Sequence, residues 1–226
     1  PQVQALYDRT LAQFPPWAVS ASDRFFAREE EVHPLDSNRP GRLYLAICAP
    51  GKGAQTPIIR IWSALLQTAY EMWQFSQSNE TDQFYTLVGY FNAIRELAGA
   101  LSLYRQDIPQ RMDFQFGQNA RLLDRKMELS SRVSSMDLPI LLQGLETTAP
   151  DALDVVLATS MFGTGVDVDR LGLMVVHGQP KTTASYIQAT GRVGRQTGGL
   201  VVTFLRASRP REMDHFEFFP GSHRAL

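Results

Sequence analysis

The sequence is poor in cysteine and has no long apolar run. Cys48 is the only cysteine among 226 residues, which excludes an intrachain disulfide and suits a reducing compartment. No apolar run approaches the roughly 20 residues needed to cross a bilayer, and the first ten residues lack the basic and then apolar segments of a signal peptide. We therefore expect a cytoplasmic protein without a membrane segment. Because the chain begins with Pro1 rather than Met, we also expect a fragment of a longer protein.

An excess of positive charge is also missing. The 22 Lys and Arg residues are balanced by 23 Asp and Glu residues, so the formal net charge is −1 and the pI is near 6.5. This excludes a protein that holds nucleic acid through overall basicity, and any such contact must come from a local cluster. The sequence predicts one cluster, within which no acidic residue intervenes: Arg192, Arg195, Arg206, Arg209 and Arg211.

What the sequence does contain is an alternation of apolar strands and helices. With 44% hydrophobic residues, the chain can bury a large core. Continuous β-branched runs are typical of sheets covered on both faces. Strands, all read as buried, are predicted over Arg42–Ala49, Phe84–Phe91, Asp154–Ser160, Leu173–Gly178 and Gly199–Leu205. Helices are predicted over Gln2–Phe14, Ile58–Phe75, Ala93–Tyr104, a segment starting at Ser134 and Ser135, and Thr183–Thr190. This alternation indicates a three-layer α/β domain with a mainly parallel sheet.

The beginning of the chain differs in character from the rest. A Pro15-Pro16 pair, a charged run and the breaker-rich segment SNRPG precede the first clear strand. We therefore predict a mixed N-terminal extension over residues 1–40 and the α/β domain over residues 41–226. The stretch from residue 111 to 132 gives no clear prediction.

Two arginines, Arg192 and Arg195, each follow a glycine in the segment GRVGR. A guanidinium group is always charged and forks onto phosphate oxygens, which suits it to stabilising charge that develops during phosphoryl transfer. In a parallel sheet, ligands gather beyond the carboxyl ends of the strands. We therefore expect GRVGR and the loop MFGTGVDVDRLG to meet on that rim.

A phosphate-binding loop is absent from the sequence. The nearest look-alike, APGKGAQTP, places Lys52 between two glycines with no hydroxyl residue after it. No Asp-Glu pair closes an apolar strand, as magnesium binding in such ATPases requires. The chain therefore has candidate arginine fingers and lacks the cradle for the nucleotide.

These segments resemble a known family. ATSMFGTGVDVDRL and QATGRVGR resemble motifs V and VI of superfamily 2 helicases, in their C-terminal RecA-like domain. FYTLVGYFNAIREL resembles motif IV, and SSMDLPILLQGLE resembles the helix between motifs IV and V. The order and spacing match over about residues 84–206. The whole run is most similar to the large helicase subunit of bacterial DISARM anti-phage systems.

The resemblance implies roles for residues that face the nucleotide. Arg195 would be the arginine finger, with Arg192 as its partner on the phosphates. Gln188 would face the γ-phosphate or the attacking water. Gly165 and Asp167 would approach the ribose or coordinate motion at the cleft.

The resemblance also implies contacts with a nucleic-acid backbone. Thr159 would touch that backbone, and a further set is placed to hold strand phosphates: Asn92, Arg95, Ser134 and Ser135. Two positions depart from the family pattern, because Ser160 stands where many relatives carry an acid and Thr164 where the DEAD-box group carries an arginine. The RNA preference of that group is therefore not implied.

The expected function is that of the second RecA-like lobe of an ATP-dependent helicase or translocase, which hydrolyses ATP only in the full-length parent. ATP and Mg²⁺ would be bound mainly by a first lobe that this chain lacks. The implied partners are DNA or RNA, that first lobe and other defence-system subunits.

Alternatives remain open at this point. The domain could be a non-catalytic adaptor with a degenerate RecA fold that binds nucleic acid or a partner, or a nucleotide-sensing regulatory domain. Arg192 and Arg195 could form surface salt bridges, and Asp167 could cap a turn. His177 has no second metal-type ligand at a useful spacing, so we predict a structural histidine and no metal site.

Overall fold

The computed structural model describes residues 2–12, 14–16, 18, 23–28, 41–134, 136–164, 167–195 and 197–224. The chain divides into two compact units, residues 1–37 and 38–226. In the first unit, helix α1 spans Gln2–Tyr7 and ends where Asp8 adopts a φ of 48°, so it is shorter than predicted. Two short antiparallel strands follow it, β1 (Asp23–Arg24) and β2 (Ala27–Arg28).

The second unit is built on a six-stranded sheet in which every pairing is parallel. Its strands are β3 (Arg42–Cys48), β4 (Leu87–Phe91), β5 (Lys126–Leu129), β6 (Val155–Ala158), β7 (Leu173–His177) and β8 (Gly199–Leu205). Their spatial order is β3-β8-β7-β4-β6-β5. The central strands β4, β6 and β7 are buried throughout, as continuous apolar runs predict.

Helices cover both faces of this sheet. They are α2 (Gln55–Ser76), α3 (Asn79–Tyr85), α4 (Ile94–Arg105), α5 (Asp107–Phe116), α6 (Leu138–Leu145), α7 (Thr183–Thr190), α8 (Pro210–Glu217) and α9 (Phe219–Arg224). One buried cluster joins Trp62, Leu97 and Ile108 of α2, α4 and α5 to the sheet. A second cluster joins Leu145 of α6 and Tyr186 of α7 to the opposite face. The predicted three-layer α/β fold is therefore confirmed.

The first strand of the sheet is not buried as predicted. β3 lies at the edge of the sheet, where Leu43 is 60% exposed and Leu45 is 43% exposed. The apolar run indicated a strand correctly, but an edge strand has a neighbour on one side only.

Other elements also differ from the prediction. β4 begins at Leu87, because α3 takes up the two preceding aromatic residues. The stretch without a prediction holds most of α5 and all of β5. α6 begins at Leu138 after Asp137, and the Ser134 hydroxyl caps no helix but accepts a hydrogen bond from the Met136 amide at 3.2 Å.

Candidate functional site

Residues 191–195, here called the arginine turn, lie at the end of α7. This helix begins beyond the carboxyl end of β7, where the Thr182 hydroxyl accepts a hydrogen bond from the Ser185 amide at 3.1 Å. It then runs back along the sheet and ends at Thr190, with Gly191 as its C-cap. The Gly194 amide donates to the Leu171 carbonyl, two residues before β7, at 2.7 Å. The arginine turn therefore lies beside the amino ends of β7 and β8.

This position corrects the predicted one. The sequence places the start of α7 near the carboxyl rim, but its eight residues carry the chain about 12 Å back across the sheet. The loop after β6 also runs back across the sheet, from the carboxyl end of β6 to the amino end of β7. The two loops do meet, as predicted, but toward the opposite rim.

Close packing explains why positions 191 and 194 of the arginine turn are glycines. A Cβ atom on Gly191 would lie 2.8 Å from the Ile187 carbonyl oxygen. Gly194 has a φ of +64°, and a Cβ atom there would lie 2.7 Å from the Gly199 Cα. The glycines therefore let the turn lie directly against α7 and the start of β8.

The two arginines converge on the loop that follows β6. Arg195 Nη1 donates a hydrogen bond to Asp167 Oδ1, and it lies 3.4 Å from Asp169 Oδ1. Arg192 Nη2 donates to the Gly163 carbonyl at 3.0 Å, and its Nη1 lies 4.0 Å from Asp167 Oδ1. Asp167 thus faces both guanidinium groups.

The ion pair between Arg195 and Asp167 shifts the pKa values of both groups. The hydrogen bond from Arg195, with the charge of that guanidinium, lowers the pKa of Asp167 below its usual range. The same bond to Asp167 raises the pKa of Arg195. The side chains of Arg192 and Arg195 remain 26% and 32% exposed, so part of each cation faces solvent.

Gln188, also predicted to face the nucleotide, lies beside the loop after β6. Gln188 is an exposed residue of α7, and a Cβ atom on Gly163 would lie 3.6 Å from the Gln188 Cβ. The loop after β6 therefore packs directly on the Gln188 side of α7. Gly165 lies outside the described residues.

Three of the residues predicted to contact nucleic acid lie beyond the carboxyl ends of β4 and β6. Thr159 follows β6 and is buried, with 7% of its surface exposed. Asn92 follows β4, and its side-chain Nδ2 donates to the carbonyls of His177 and Gly178 at 3.1 and 3.0 Å. Arg95 lies in the first turn of α4, exposed and without a partner among the described residues.

Of the two serines before α6, the structure describes only Ser134. Ser134 is exposed, and its hydroxyl makes the turn contact before α6 given above. Ser135 lies outside the described residues. The predicted contacts of all these residues with a nucleic-acid strand stay predictions.

The predicted basic cluster does not form a single patch. Arg206 Nη1 and Arg209 Nη2 both donate to Glu96 Oε1, at 2.9 and 3.0 Å. Arg209 also donates to Glu212 Oε1 at 2.9 Å, and Arg211 donates to the Pro180 carbonyl at 2.7 Å. Although no acidic residue intervenes in the sequence, Arg206 and Arg209 pair with Glu96 of α4 and Glu212 of α8.

One contact of the arginine turn was not predicted at all. Arg42 Nε donates to the Val193 carbonyl at 2.6 Å, and Arg42 Nη2 donates to the Gly191 carbonyl at 3.2 Å. The partners lie 151 and 149 positions apart in the sequence. No local pattern signals such a contact, because only the register of β3 against β8 brings these residues together.

The chemistry of the turn suits an anion. Two guanidinium groups offer forked donors for phosphate oxygens, whereas the nearby carboxylates of Asp167 and Asp169 are engaged by Arg195. Across the part of the chain that the structure describes, no group of three or more His, Cys, Asp or Glu side chains is placed to hold a metal ion. Over the same residues, no helix has the length and apolar character needed to cross a bilayer.

Comparison with known proteins agrees with this architecture. Residues 102–197 match the helicase conserved C-terminal domain. The DISARM protein DrmA of Bacillus paralicheniformis is 44% identical over 233 residues, which cover 100% of this chain and 20% of DrmA. The ATP-dependent RNA helicase SUB2 of Chaetomium globosum is 33% identical over 60 residues, 26% of this chain and 14% of SUB2. The chain thus spans about a fifth of the length of DrmA.

A solved structure shows the same fold. The crystal structure of the DUF1998 helicase MrfA bound to DNA matches with a TM-score of 0.55 at 19% identity, over 79% of this chain and 23% of MrfA. The sheet, the matched domain and the similarity to DrmA lead to one assignment. The chain belongs to the superfamily 2 helicases, and it forms their C-terminal RecA-like domain.

Proposed function

We propose that this domain is the second RecA-like lobe of an ATP-dependent helicase or translocase and supplies Arg192 and Arg195 to the phosphates of a nucleotide. The observation that carries the proposal is the pair of partly exposed guanidinium groups held at Asp167 on one short turn. Positive charge placed in this way stabilises a transferring phosphoryl group, and an arginine finger contributes about 10³ to 10⁵ in rate.

Asp167 and Asp169 have a positioning role in this proposal. They orient Arg195 toward the loop after β6, and they compete with phosphate for its guanidinium. Because Asp167 is exposed, its ion pair is solvated and weak in net terms. A nucleotide phosphate can therefore displace Asp167 from Arg195, which leaves the carboxylate free to accept a hydrogen bond from a ribose hydroxyl.

The residues of this domain suit nucleotide phosphates better than a metal ion. ATP, when bound, supplies the γ-phosphoryl group that is transferred to water. We propose that a first RecA-like lobe holds Mg²⁺ and most of the nucleotide. Gln188 then faces the γ-phosphate or the attacking water, and Arg192 and Arg195 complete the site when the two lobes close.

Nucleic acid is proposed to cross the carboxyl ends of the strands. Arg95 supports this, since its charged group is exposed and free among the described residues. The Asn92 amide instead joins β4 to β7, and in this proposal it shapes the surface near Thr159. MrfA is solved with DNA and SUB2 is named an RNA helicase. Either nucleic acid is therefore a suitable probe.

The similarity to DrmA over the whole chain supports a cellular role. We propose that the parent protein acts in antiviral defence, in the cytoplasm and together with other subunits of a DISARM-type system. Alternating open and closed states of the two lobes would then advance the parent protein along nucleic acid, since nucleotide contacts differ between those states.

The test is ATP hydrolysis by the full-length parent protein, with wild type compared with Arg195→Ala in the presence of DNA or RNA. Binding of nucleotide and nucleic acid is measured in parallel. We expect hydrolysis to fall by about 10³ or more while binding is largely kept. The isolated chain is expected to hydrolyse no ATP, and appreciable turnover by it would contradict the split site.

A second outcome would favour the adaptor function. If the wild-type parent binds nucleic acid but hydrolyses no ATP with any DNA or RNA tested, the arginines serve as anchors. The domain would then bind nucleic acid or a partner without catalysis.

A further inference from the structure

We propose that Arg42 is a positioning residue for the arginine turn. It acts through two backbone carbonyls and does not touch the nucleotide. The inference rests on the proposed function of Arg192 and Arg195. Arg42 lies outside residues 102–197, which match the helicase domain, so the matched motifs do not include it.

Arg42 contacts the arginine turn through two nitrogens of its guanidinium group, an arrangement here called the fork. Arg42 Nε reaches the Val193 carbonyl at 2.6 Å and Arg42 Nη2 reaches the Gly191 carbonyl at 3.2 Å. These carbonyls belong to the residues on either side of Arg192. A planar guanidinium group that holds two acceptors in a fixed relation restrains the peptide units between them. The direction in which Arg192 leaves the backbone is therefore restrained by Arg42.

The sheet holds the backbone of Arg42 in place. Arg42 is the first residue of β3 and is paired with Gly199 of β8. The Gly199 amide also donates to the Gly41 carbonyl at 3.2 Å. On its other side Gly199 lies against Gly194 of the turn. Arg42 and the arginine turn thus share one strand as support, and a site held by sheet residues is more precise than one held by a loop alone.

The turn is also fixed from the side of its second arginine. Arg195 is held by Asp167 and Asp169, and Arg192 by the Gly163 carbonyl. Those contacts restrain the tips of the two side chains, whereas Arg42 restrains the backbone from which they start. Misplacement of a catalytic group by about 1 Å can reduce a rate by about 100-fold. Loss of the fork should therefore reduce turnover.

A purely structural role makes a different prediction. Gly191 caps the carboxyl end of α7, and a cation beside the last carbonyls of a helix stabilises that helix. If Arg42 only capped α7, its removal would lower thermal stability and leave the turnover of folded protein unchanged. The experiment must measure both quantities.

The test compares variants of the full-length parent in nucleic-acid-stimulated ATP hydrolysis. Arg42→Ala should lower kcat about tenfold or more, with the KM for ATP changed less than about twofold and little change in the thermal midpoint. Arg42→Lys keeps the charge but loses the fork, and should recover only part of kcat. Arg60→Ala is the matched control, because Arg60 is exposed on α2 and has no partner among the described residues.

A double variant provides the decisive comparison. If Arg42 acts by placing Arg192, adding Arg42→Ala to Arg192→Ala should lower kcat no further. If Arg42→Ala hydrolyses ATP as wild type does while Arg195→Ala fails, this inference is wrong and the proposed function stands. If Arg195→Ala itself retains wild-type turnover, the proposed function fails. A loss of kcat no larger than the loss of folded protein would make Arg42 a helix cap only.

Discussion

Gly194 is the residue on which the shape of the arginine turn most directly depends. Its φ of +64° is strained for any residue with a Cβ atom, and that atom would lie 2.7 Å from backbone atoms of Gly199. Because backbone cannot move aside as a flexible side chain can, Gly194→Ala should lower the free energy of unfolding by about 3 kcal/mol. Urea denaturation followed by circular dichroism measures this change.

Gly53→Ala is the matched control for that substitution. A Cβ atom on Gly53 meets no heavy atom within 4 Å, so the free energy of unfolding should change by less than about 0.5 kcal/mol. Equal denaturation midpoints for the two variants would show that the turn relaxes freely, which the close contact with Gly199 does not allow.

His177 predicts how stability depends on pH. It is buried among aromatic rings, its Nε2 accepts a hydrogen bond from Trp62 Nε1 at 3.1 Å, and it stacks on Phe91 at 4.3 Å. Burial, helped by the charge of Arg206, lowers its pKa from 6.5 to about 3. Protonation therefore favours the unfolded chain. The stability that comes from keeping His177 neutral is fully present above the pKa of this residue in the unfolded chain. It is lost as the pH falls toward 3.

The expected loss is about 2 kcal/mol of unfolding free energy between about pH 7 and pH 5. Urea denaturation at a series of pH values measures it. His177→Phe keeps an aromatic ring and removes the titration. This variant should be less stable at pH 7, since Trp62 loses its acceptor, and should show a flatter pH profile. Parallel profiles for wild type and variant would contradict the assignment to His177.

Among the elements, α3 holds the loop between β6 and β7 in place. Arg170 of that loop forms an ion pair with Asp82 of α3 at 3.0 Å, and both side chains are about a tenth exposed. Arg170 also donates to the Leu145 carbonyl, and Asp82 accepts from the Ala149 amide at 2.7 Å. These contacts fix the path of the loop that carries Asp167.

Asp82→Ala should therefore be strongly destabilising. It leaves the Arg170 cation largely buried without its partner, which typically costs about 3 to 5 kcal/mol. Asp151→Ala is the control, since Asp151 pairs with Arg125 at 3.0 Å on an exposed surface and should change stability by less than about 1 kcal/mol. Thermal and urea unfolding of both variants measure the difference, and a small effect of Asp82→Ala would contradict the buried-pair argument.

How well an element was predicted from sequence depends on its local signals. α7 and β8 match their predicted bounds, Thr183–Thr190 and Gly199–Leu205, because a Thr cap begins the helix and a β-branched run forms the strand. β5 was missed because Lys126–Leu129 is a four-residue strand at the sheet edge with too few residues for a clear alternation.

The candidate site shows the same limit at longer range. The order of strands and loops predicted that the GRVGR segment and the loop after β6 would meet, and Arg192 and Arg195 do lie beside Asp167. The rim on which they meet and the contribution of Arg42 depend on helix direction and strand register. These are properties of the assembled sheet, and no local pattern encodes them.

On the scale of the whole molecule, the core lies within the second unit. Both buried clusters consist of residues after position 40, and the first unit ends at residue 37. We therefore predict that residues 38–226 fold without the first 37, with a thermal midpoint within about 3 °C of the full chain. Circular dichroism melting measures this.

A deeper truncation serves as the control. A chain that begins after Cys48 lacks all of β3, and with it the seven-residue pairing to β8. It should melt at a clearly lower temperature than residues 38–226. Equal midpoints for these two fragments would show that β3 adds nothing to the fold, while unfolding of residues 38–226 would place the domain boundary elsewhere.

The edge position of β3 has a practical consequence for work with the purified domain. Among the described residues, β3 pairs only with β8, and it carries the exposed Leu43 and Leu45. An apolar strand with free backbone donors and acceptors is a template for strands of other molecules. Samples of the domain should therefore precipitate increasingly as they are concentrated, and Leu43→Lys is the substitution of choice for keeping them in solution.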